Sequence, residues 1–232
     1  MGLKEDLETE VKKIFKEQWT SRDGQVVPEA EDIRLGNEAV KLDGTVLYAD
    51  LSGSTNMVDS RKSFFAAEVY KTYLLCAARL IRSEGGTITA YDGDRIMAVF
   101  IGDLNNTSAV RCGLKINGAV QNVINPALKA QYPDTDFTVR QVVGIDRSPL
   151  WVARIGAKGD NDLVWVGRAA NYAAKLTELD ADYPTWITGD VFRAMRDNVK
   201  FGENGGAMWE QRFWTAMNNM EVYRSNWYWN TL

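Results

Sequence analysis

The order of strand-like and helix-like segments predicts an α+β protein with a ferredoxin-like βαββαβ core and further strands at the C-terminal end. Three observations carry this. Residues 45–51 form a short apolar run ending in Asp50, followed by the small residues Ser52, Gly53, Ser54 and Thr55, the pattern of a strand entering a turn. Residues 61–82 keep Phe65, Val69, Tyr73, Leu74, Ala77, Leu80 and Ile81 at helical spacing, and Gly85 and Gly86 stop the helix. Residues 87–91 and 96–101 are rich in β-formers and flank Asp92-Gly93-Asp94-Arg95, a strong short-range hairpin signal.

The remaining elements follow in order. Leu3, Leu7, Val11, Ile14 and Phe15 recur at helical spacing among charged residues, so an amphipathic helix ending near Gln18 opens the chain. Residues 20–43 lose periodicity and read as a polar connector, which puts a division between residues 1–43 and a main domain at 44–232. A second long helix is expected over residues 105–128, with Val110, Leu114, Val120 and Ile124 inward. Strands are expected over 137–145 and 151–155, joined by a turn around Ser148 and Pro149, and again over 163–166. A helix over 167–179, a strand over 185–188, a helix over 190–197 and strands near 208–215 and 221–225 complete the chain. The expected sheet is antiparallel, with helices on one face.

Composition removes whole classes of chemistry. The 232 residues are 45% hydrophobic and 25% charged, ample for a full core. The formal charge of −4 gives no general attraction to nucleic acid or anionic membranes. There is no histidine, which excludes histidine-dependent triads and most zinc sites. Cys76 and Cys112 each fall in a helical stretch and read as apolar fillers in a reducing, cytoplasmic compartment. No window approaches the length of a membrane-spanning helix, and the charged first ten residues lack the apolar core of an export signal.

The chemistry therefore rests on carboxylates, cations, amides and metals. Asp50 ends the first core strand and Asp94 lies in the hairpin between the next two. Ferredoxin-like topology makes those strands neighbours, so both carboxylates can converge on one sheet edge. Two such anions side by side call for a cation between them, with Mg²⁺ or Mn²⁺ beneath a triphosphate the natural occupant. Free backbone N–H groups of Gly53, Ser54 and Thr55 can hold phosphate oxygens beside it. Taken singly, each residue also reads as a solvated strand end, a turn residue or a helix cap.

Three motifs in order resemble those of class III nucleotidyl cyclases across residues 44–180. They are Tyr48-Ala49-Asp50-Leu51-Ser52-Gly53-Ser54-Thr55, then Gly93-Asp94-Arg95-Ile96-Met97-Ala98-Val99-Phe100, then Trp165-Val166-Gly167-Arg168-Ala169-Ala170-Asn171-Tyr172-Ala173-Ala174-Lys175. The resemblance implies that Asp50 and Asp94, with the Leu51 carbonyl as a further ligand, hold two Mn²⁺ or Mg²⁺ ions. It also implies that Asn171 orients the ribose, that Lys175 stabilises charge on the α-phosphoryl oxygens, and that both come from the second subunit of a homodimer with shared sites. Lys175 stands where the family usually has Arg, giving a point charge in place of a bidentate fork.

Where purine-specific members read the base through a Lys or Glu and an Asp or Cys, this sequence has Ala90 and Val164. Neither can pair with a purine edge. With the polar entry segment and the aromatic C-terminal end (Trp209, Phe213, Trp214, Tyr223, Trp227, Tyr228, Trp229), this resembles the pyrimidine cyclases of Pycsar anti-phage systems. The implied activity is UTP to cyclic UMP and pyrophosphate, as a signal for a separate effector protein. CTP cyclisation, adenylate cyclisation and an inactive nucleotide sensor are the alternatives. Tyr48, Tyr91 and Arg95 are expected to line the base pocket. Packing or a dimer contact accounts for the terminal aromatics better than nucleic-acid stacking does.

Overall fold

The computed structural model describes residues 2–157 and 160–230, so the outermost ends of the two expected domains, Met1 and Leu232, lie outside the described residues. The chain divides into two compact units: residues 1–43 with 149–167, and residues 44–148 with 168–232.

The first unit contains α1 (Leu3–Lys16), β1 (Thr20–Asp23), the first part of β2 (Glu38–Leu51), the last part of β5 (Gln141–Ala157) and β6 (Asp160–Val166). Thr20–Asp23 pairs in parallel with residues 38–41, and residues 151–157 pair antiparallel with β6. Ile33, Val40, Leu42 and Val152 are buried together, with Leu163 and Trp165 packed against them. The expected connector is therefore corrected: residues 20–43 carry a strand and half of another. The sequence hid them because β1 is exposed along its length, so no alternation marks it.

The second unit holds α2 (Ser54–Ser60), α3 (Ser63–Ser83), β3 (Thr87–Asp92), β4 (Arg95–Phe100), α4 (Asn105–Ala119), a π-helical turn (Val120–Ile124), α5 (Asn125–Gln131), α6 (Arg168–Leu176), β7 (Thr185–Thr188), α7 (Gly189–Ala194), β8 (Glu210–Trp214) and β9 (Met220–Ser225), besides its shares of β2 and β5. The strand order is β3-β4-β2-β5-β7-β9-β8. Its first four members are the four-stranded ferredoxin-like sheet, and β7, β9 and β8 extend it.

The long helix expected over 105–128 is interrupted by the π turn before Pro126 continues it, in a stretch where a proline inside a helix removes one backbone donor. No turn separates the strands expected at 137–145 and 151–155; β5 runs straight through Pro149. Pro149 falls between the ladder to β7 at residues 143–145 and the ladder to β6 from residue 151, where its missing N–H breaks neither.

Alternation sorts the faces of this unit. Leu47, Ala49, Ile96, Ala98 and Phe100 join Val69, Tyr73, Ala77, Val110 and Leu114 in the main core, so α3 and α4 cover that face. The expectation of helices on one face only is corrected by Gly144, whose position would bring a side chain against the Ala173 carbonyl of α6. Gly113 of α4 meets Val143 and Ile145 instead. Successive residues of β5 thus point to α6 and to α4, and the sheet is covered from both sides. The pairing of β5 with β7 is parallel, so the sheet is mixed. The aromatic tail packs mainly within this unit: Trp209 is buried and donates to the Val199 carbonyl at 2.7 Å, and Trp229 N donates to Leu114 O at 3.2 Å. Phe213 stays exposed. Cys76 and Cys112 are free thiols, Cys112 buried.

Candidate active site

The antiparallel ladder between β2 and β4 sets Tyr48 opposite Met97 and Ala49 opposite Ile96. Continuing it by one residue brings Asp50 level with Arg95. The hairpin between β3 and β4 closes with Asp92 paired to Arg95, leaving Gly93 and Asp94 as the two turn residues. Gly93 has φ 62°, the left-handed position that such a tight turn requires and that glycine takes without steric cost.

Because side chains alternate, Tyr48 and Asp50 share the face opposite the α3–α4 core. Met97 and Ala90 extend the row of Tyr48 across three strands, since Ala90 is opposite Met97. Tyr91 belongs to the other row, opposite Ile96, whose own partner is Ala49. The register thus puts two of the residues expected to line one base pocket, Tyr48 and Tyr91, on opposite faces of the sheet. Val164 stands in the first unit, opposite Ala153.

The electrostatics identify the strained group. Asp50 is half-buried and its carboxyl is pushed up to about 6, first by burial and next by the negative charge of Asp94. Arg95, the Leu51 backbone N–H and the Thr177 hydroxyl oppose that rise without cancelling it. Asp94 carries a buried oxygen, Oδ2, with no hydrogen-bond partner. A second orphan lies nearby in electrostatic terms: Tyr73 of α3 is fully buried, its hydroxyl has no partner, and burial together with the charges of Asp50 and Asp94 holds it firmly as a phenol. Burial also raises the Tyr48 phenol, with Arg95 lowering it and Asp92 raising it.

An unpaired buried carboxylate oxygen beside a second carboxyl that resists ionisation is what a hard divalent cation satisfies. Among the described residues no group of three or more His, Cys, Asp or Glu converges. Two carboxylates suit an ion that keeps water and substrate phosphate in its remaining positions. Leu51, buried at the end of β2, offers its backbone beside them.

Gly53 takes φ 75° as the cap of α2. Ser52 N–H already donates to the Arg140 carbonyl at 2.9 Å, so the turn donors left for an anion come from Gly53, Ser54 and Thr55. Asn171 and Lys175 lie one turn apart on α6 and are both exposed. Ala169, Ala170, Ala173 and Leu176 bury the opposite side of that helix, so the two polar side chains project away from their own core.

Sequence reasoning missed three residues here. Thr177 falls two positions after Lys175, past the quoted motif. Asp146, fully buried on β5, receives Arg168 in a bidentate contact at 3.0 and 3.1 Å and the Thr188 hydroxyl at 2.6 Å. Arg168 also reaches Asp190 at 2.6 Å, fixing the start of α6. Tyr73 gave no signal, since a tyrosine at core spacing looks like any other core residue.

No protein-family model matches the sequence. The chain is 52% identical over 230 residues to a uridylate cyclase of Xanthomonas perforans, and 52% identical over 231 residues to a uridylate cyclase of Burkholderia cepacia, covering 99% of each partner and of itself. A uridylate cyclase of Rhodovulum sp. (strain MB263) is 36% identical over 235 residues. The chain belongs to the uridylate cyclase family. Among solved structures, the guanylyl cyclase Cya2 superposes with a TM-score of 0.68 at 19% identity, covering 82% of this chain and 95% of that one. The adenylyl cyclase CyaB from P. aeruginosa gives 0.67 at 19%, covering 84% and 99%. These show the class III cyclase fold, and family membership makes this uridylate cyclase relative a nucleotidyl cyclase. No helix among the described residues is long and apolar enough to cross a membrane.

Proposed function

We propose that this chain converts UTP to 3′,5′-cyclic UMP and pyrophosphate, as a homodimer whose two sites each draw residues from both copies. The observation that carries the reading is the pairing of Asp50 and Asp94 at one end of the sheet, with Tyr48, Ala90 and Arg95 beside them and no polar group at position 90 to read a purine. Two Mn²⁺ or Mg²⁺ ions held by Asp50, Asp94 and the Leu51 carbonyl would supply Lewis acidity to the ribose 3′-hydroxyl and charge neutralisation to the triphosphate.

The chain's own residues do the rest. Backbone donors of Gly53, Ser54 and Thr55 hold the phosphates. Asn171 from the second copy orients the ribose, and Lys175 from the same helix faces the α-phosphoryl oxygens as negative charge grows there. The 3′-oxygen loses its proton to solvent and bonds to the α-phosphorus as the bond to pyrophosphate breaks in line. Arg95 bears donors only; these complement the O4 carbonyl of uracil, whereas cytosine presents an amino group at that edge. In keeping with the Pycsar resemblance, the product is a second messenger of anti-phage defence, read by a separate effector.

Purified protein incubated with each of the four nucleoside triphosphates and Mn²⁺, with products resolved by mass, tests this. Cyclic UMP as the main product is expected. Cyclic CMP or cyclic AMP in its place overturns the substrate, and no cyclic product from any of the four overturns the activity.

A further inference from the structure

Asn171 and Lys175 stand exposed on α6, yet the helix ends on a residue that turns the other way. Thr177 follows the last residue of α6 and is only 7% exposed. Leu176 beside it is fully buried with Val142, Trp186 and Val222. A side chain at Gly144 would meet the Ala173 carbonyl and the Leu176 side chain. The last turn of α6 therefore lies over the start of β5, on the face that Val142 and Gly144 share. β2 is the neighbour of β5 in the sheet, and the Ser52 N–H on the Arg140 carbonyl at 2.9 Å brings the end of β2 level with the start of β5. Asp50, two residues before Ser52, sits on that same face. There the Thr177 hydroxyl comes within hydrogen-bonding reach of the Asp50 carboxyl.

A hydroxyl has one proton and two lone pairs. The Thr177 proton goes to the Ala174 carbonyl at 2.7 Å, but that oxygen also accepts the Thr177 N–H at 3.2 Å. Turning the hydroxyl proton to Asp50 leaves no carbonyl without a partner, so the exchange costs little. The Leu51 backbone N–H is a second donor to the same carboxyl. Two fixed donors hold the carboxylate in one orientation and leave its remaining lone pairs for a cation shared with Asp94, whose buried Oδ2 has no partner.

We infer that Thr177 is a positioning residue, which orients the Asp50 carboxylate of its own copy as a metal ligand from the helix whose exposed side serves the other copy. Each α6 thus works for two sites, with Thr177 inward and Asn171 and Lys175 outward. The inference deepens the reading of shared, metal-dependent sites given above and rests on it. Hydrogen bonds that orient metal ligands are worth about 10- to 100-fold in metal affinity or activity.

Mn²⁺ binding to the full-length protein, measured calorimetrically without nucleotide, tests the contact apart from activity. Thr177→Val keeps the shape of the side chain and removes the hydroxyl, so affinity should fall about tenfold or more. Thr177→Ser keeps the hydroxyl and should stay within about threefold of wild type. Equal affinity in Thr177→Val and wild type overturns the proposal. So does a loss in Thr177→Ser as large as in Thr177→Val, which assigns the effect to the methyl group. Thr177→Ala, which crowds nothing, takes the place of Thr177→Val if that chain does not fold.

Placement in mixed dimers separates the two directions of α6. Asp50→Ala and Asn171→Ala chains together form one working site, made of Asp50 from the second and Asn171 from the first. Thr177→Val added to the Asn171→Ala chain should lower the recovered turnover at limiting Mn²⁺ about tenfold more than the same change added to the Asp50→Ala chain. Equal losses, or a larger loss from the Asp50→Ala chain, show that Thr177 acts through the helix and overturn the proposal. No recovery from the parent pair overturns the shared-site reading instead, and calorimetry then decides the hold of Thr177 on Asp50.

Discussion

Asp50, next to last in β2, lies on the same sheet face as Tyr48, and its carboxyl is pushed up to about 6 because burial and the charge of Asp94 both oppose ionisation. The folded protein therefore holds a proton on Asp50 that the unfolded chain releases near pH 4.

The sign of the consequence follows. A carboxyl whose pKa is higher in the folded state favours folding while protonated. Its contribution is full below about pH 4, declines as pH rises from 4 to 6, and is absent above that. Asp50→Asn should thus stabilise the metal-free protein at pH 7.5 by about 1–2 kcal/mol, after allowing for solvent screening, and change little at pH 4.5. Thermal unfolding of both proteins in chelator across that range checks it; equal stabilities at pH 7.5 would count against the strained pair.

Metal binding should show the opposite trend. The ionised form is the ligand, so Mn²⁺ affinity measured calorimetrically should rise from pH 5 to pH 7. Asp50→Ala and Asp94→Ala should each abolish both the binding heat and turnover. Full turnover in either variant would remove the carboxylates from the mechanism.

The proposed sharing of sites between two copies makes a prediction about mixtures. Asp50→Ala and Asn171→Ala chains should each be nearly inactive alone. Mixed and allowed to exchange, they form heterodimers with one intact site, which recovers about a quarter of wild-type activity if association is random. No recovery, with exchange verified by mass, argues for sites built within one copy.

Tyr73 offers a finer probe. From Tyr73 to the end of α3 the helix rises about 15 Å, close to the length of β3 returning toward the hairpin. The orphan phenol also feels the charge of Asp94. Donation from this phenol to Asp94 when metal is bound predicts that Tyr73→Phe weakens Mn²⁺ binding severalfold while leaving metal-free stability equal or higher, since an unpaired buried hydroxyl is removed. Unaltered Mn²⁺ affinity would leave Tyr73 a packing residue only.

The lock on α6 is structural and should behave so. Asp146 is fully buried and answers Arg168 and Thr188. Asp146→Ala leaves the buried side of that ion pair empty, and a loss of about 3 kcal/mol or more in denaturant unfolding is expected. A loss below about 1 kcal/mol would show that α6 does not depend on this anchor.

Much of this was legible in the chain. The strand ending in Asp50, the hairpin around Gly93 and the helix carrying Asn171 and Lys175 each have local causes: alternation, a glycine at a left-handed turn position, and an alanine-rich buried side. Such features survive reading one segment at a time. Even the family could be named from three motifs in order, because each of those motifs is contiguous.

What escaped depends on partners distant in sequence. Residues 20–43 looked like a connector since β1 shows no alternation, and only pairing with residues 38–41 makes it a strand. Pro149 looked like a turn, although it sits harmlessly where β5 changes partners. Tyr91 was expected to line one pocket with Tyr48, but the ladder to Ile96 puts it on the other face. The sequence by itself determined the family and most of the segments that are helix or strand. Tertiary structure decided which side chains share a face, how far Asp50 is stripped of water, and which buried oxygens go without a partner. Those outcomes are set by strand register and by burial, which exist only once the segments have packed.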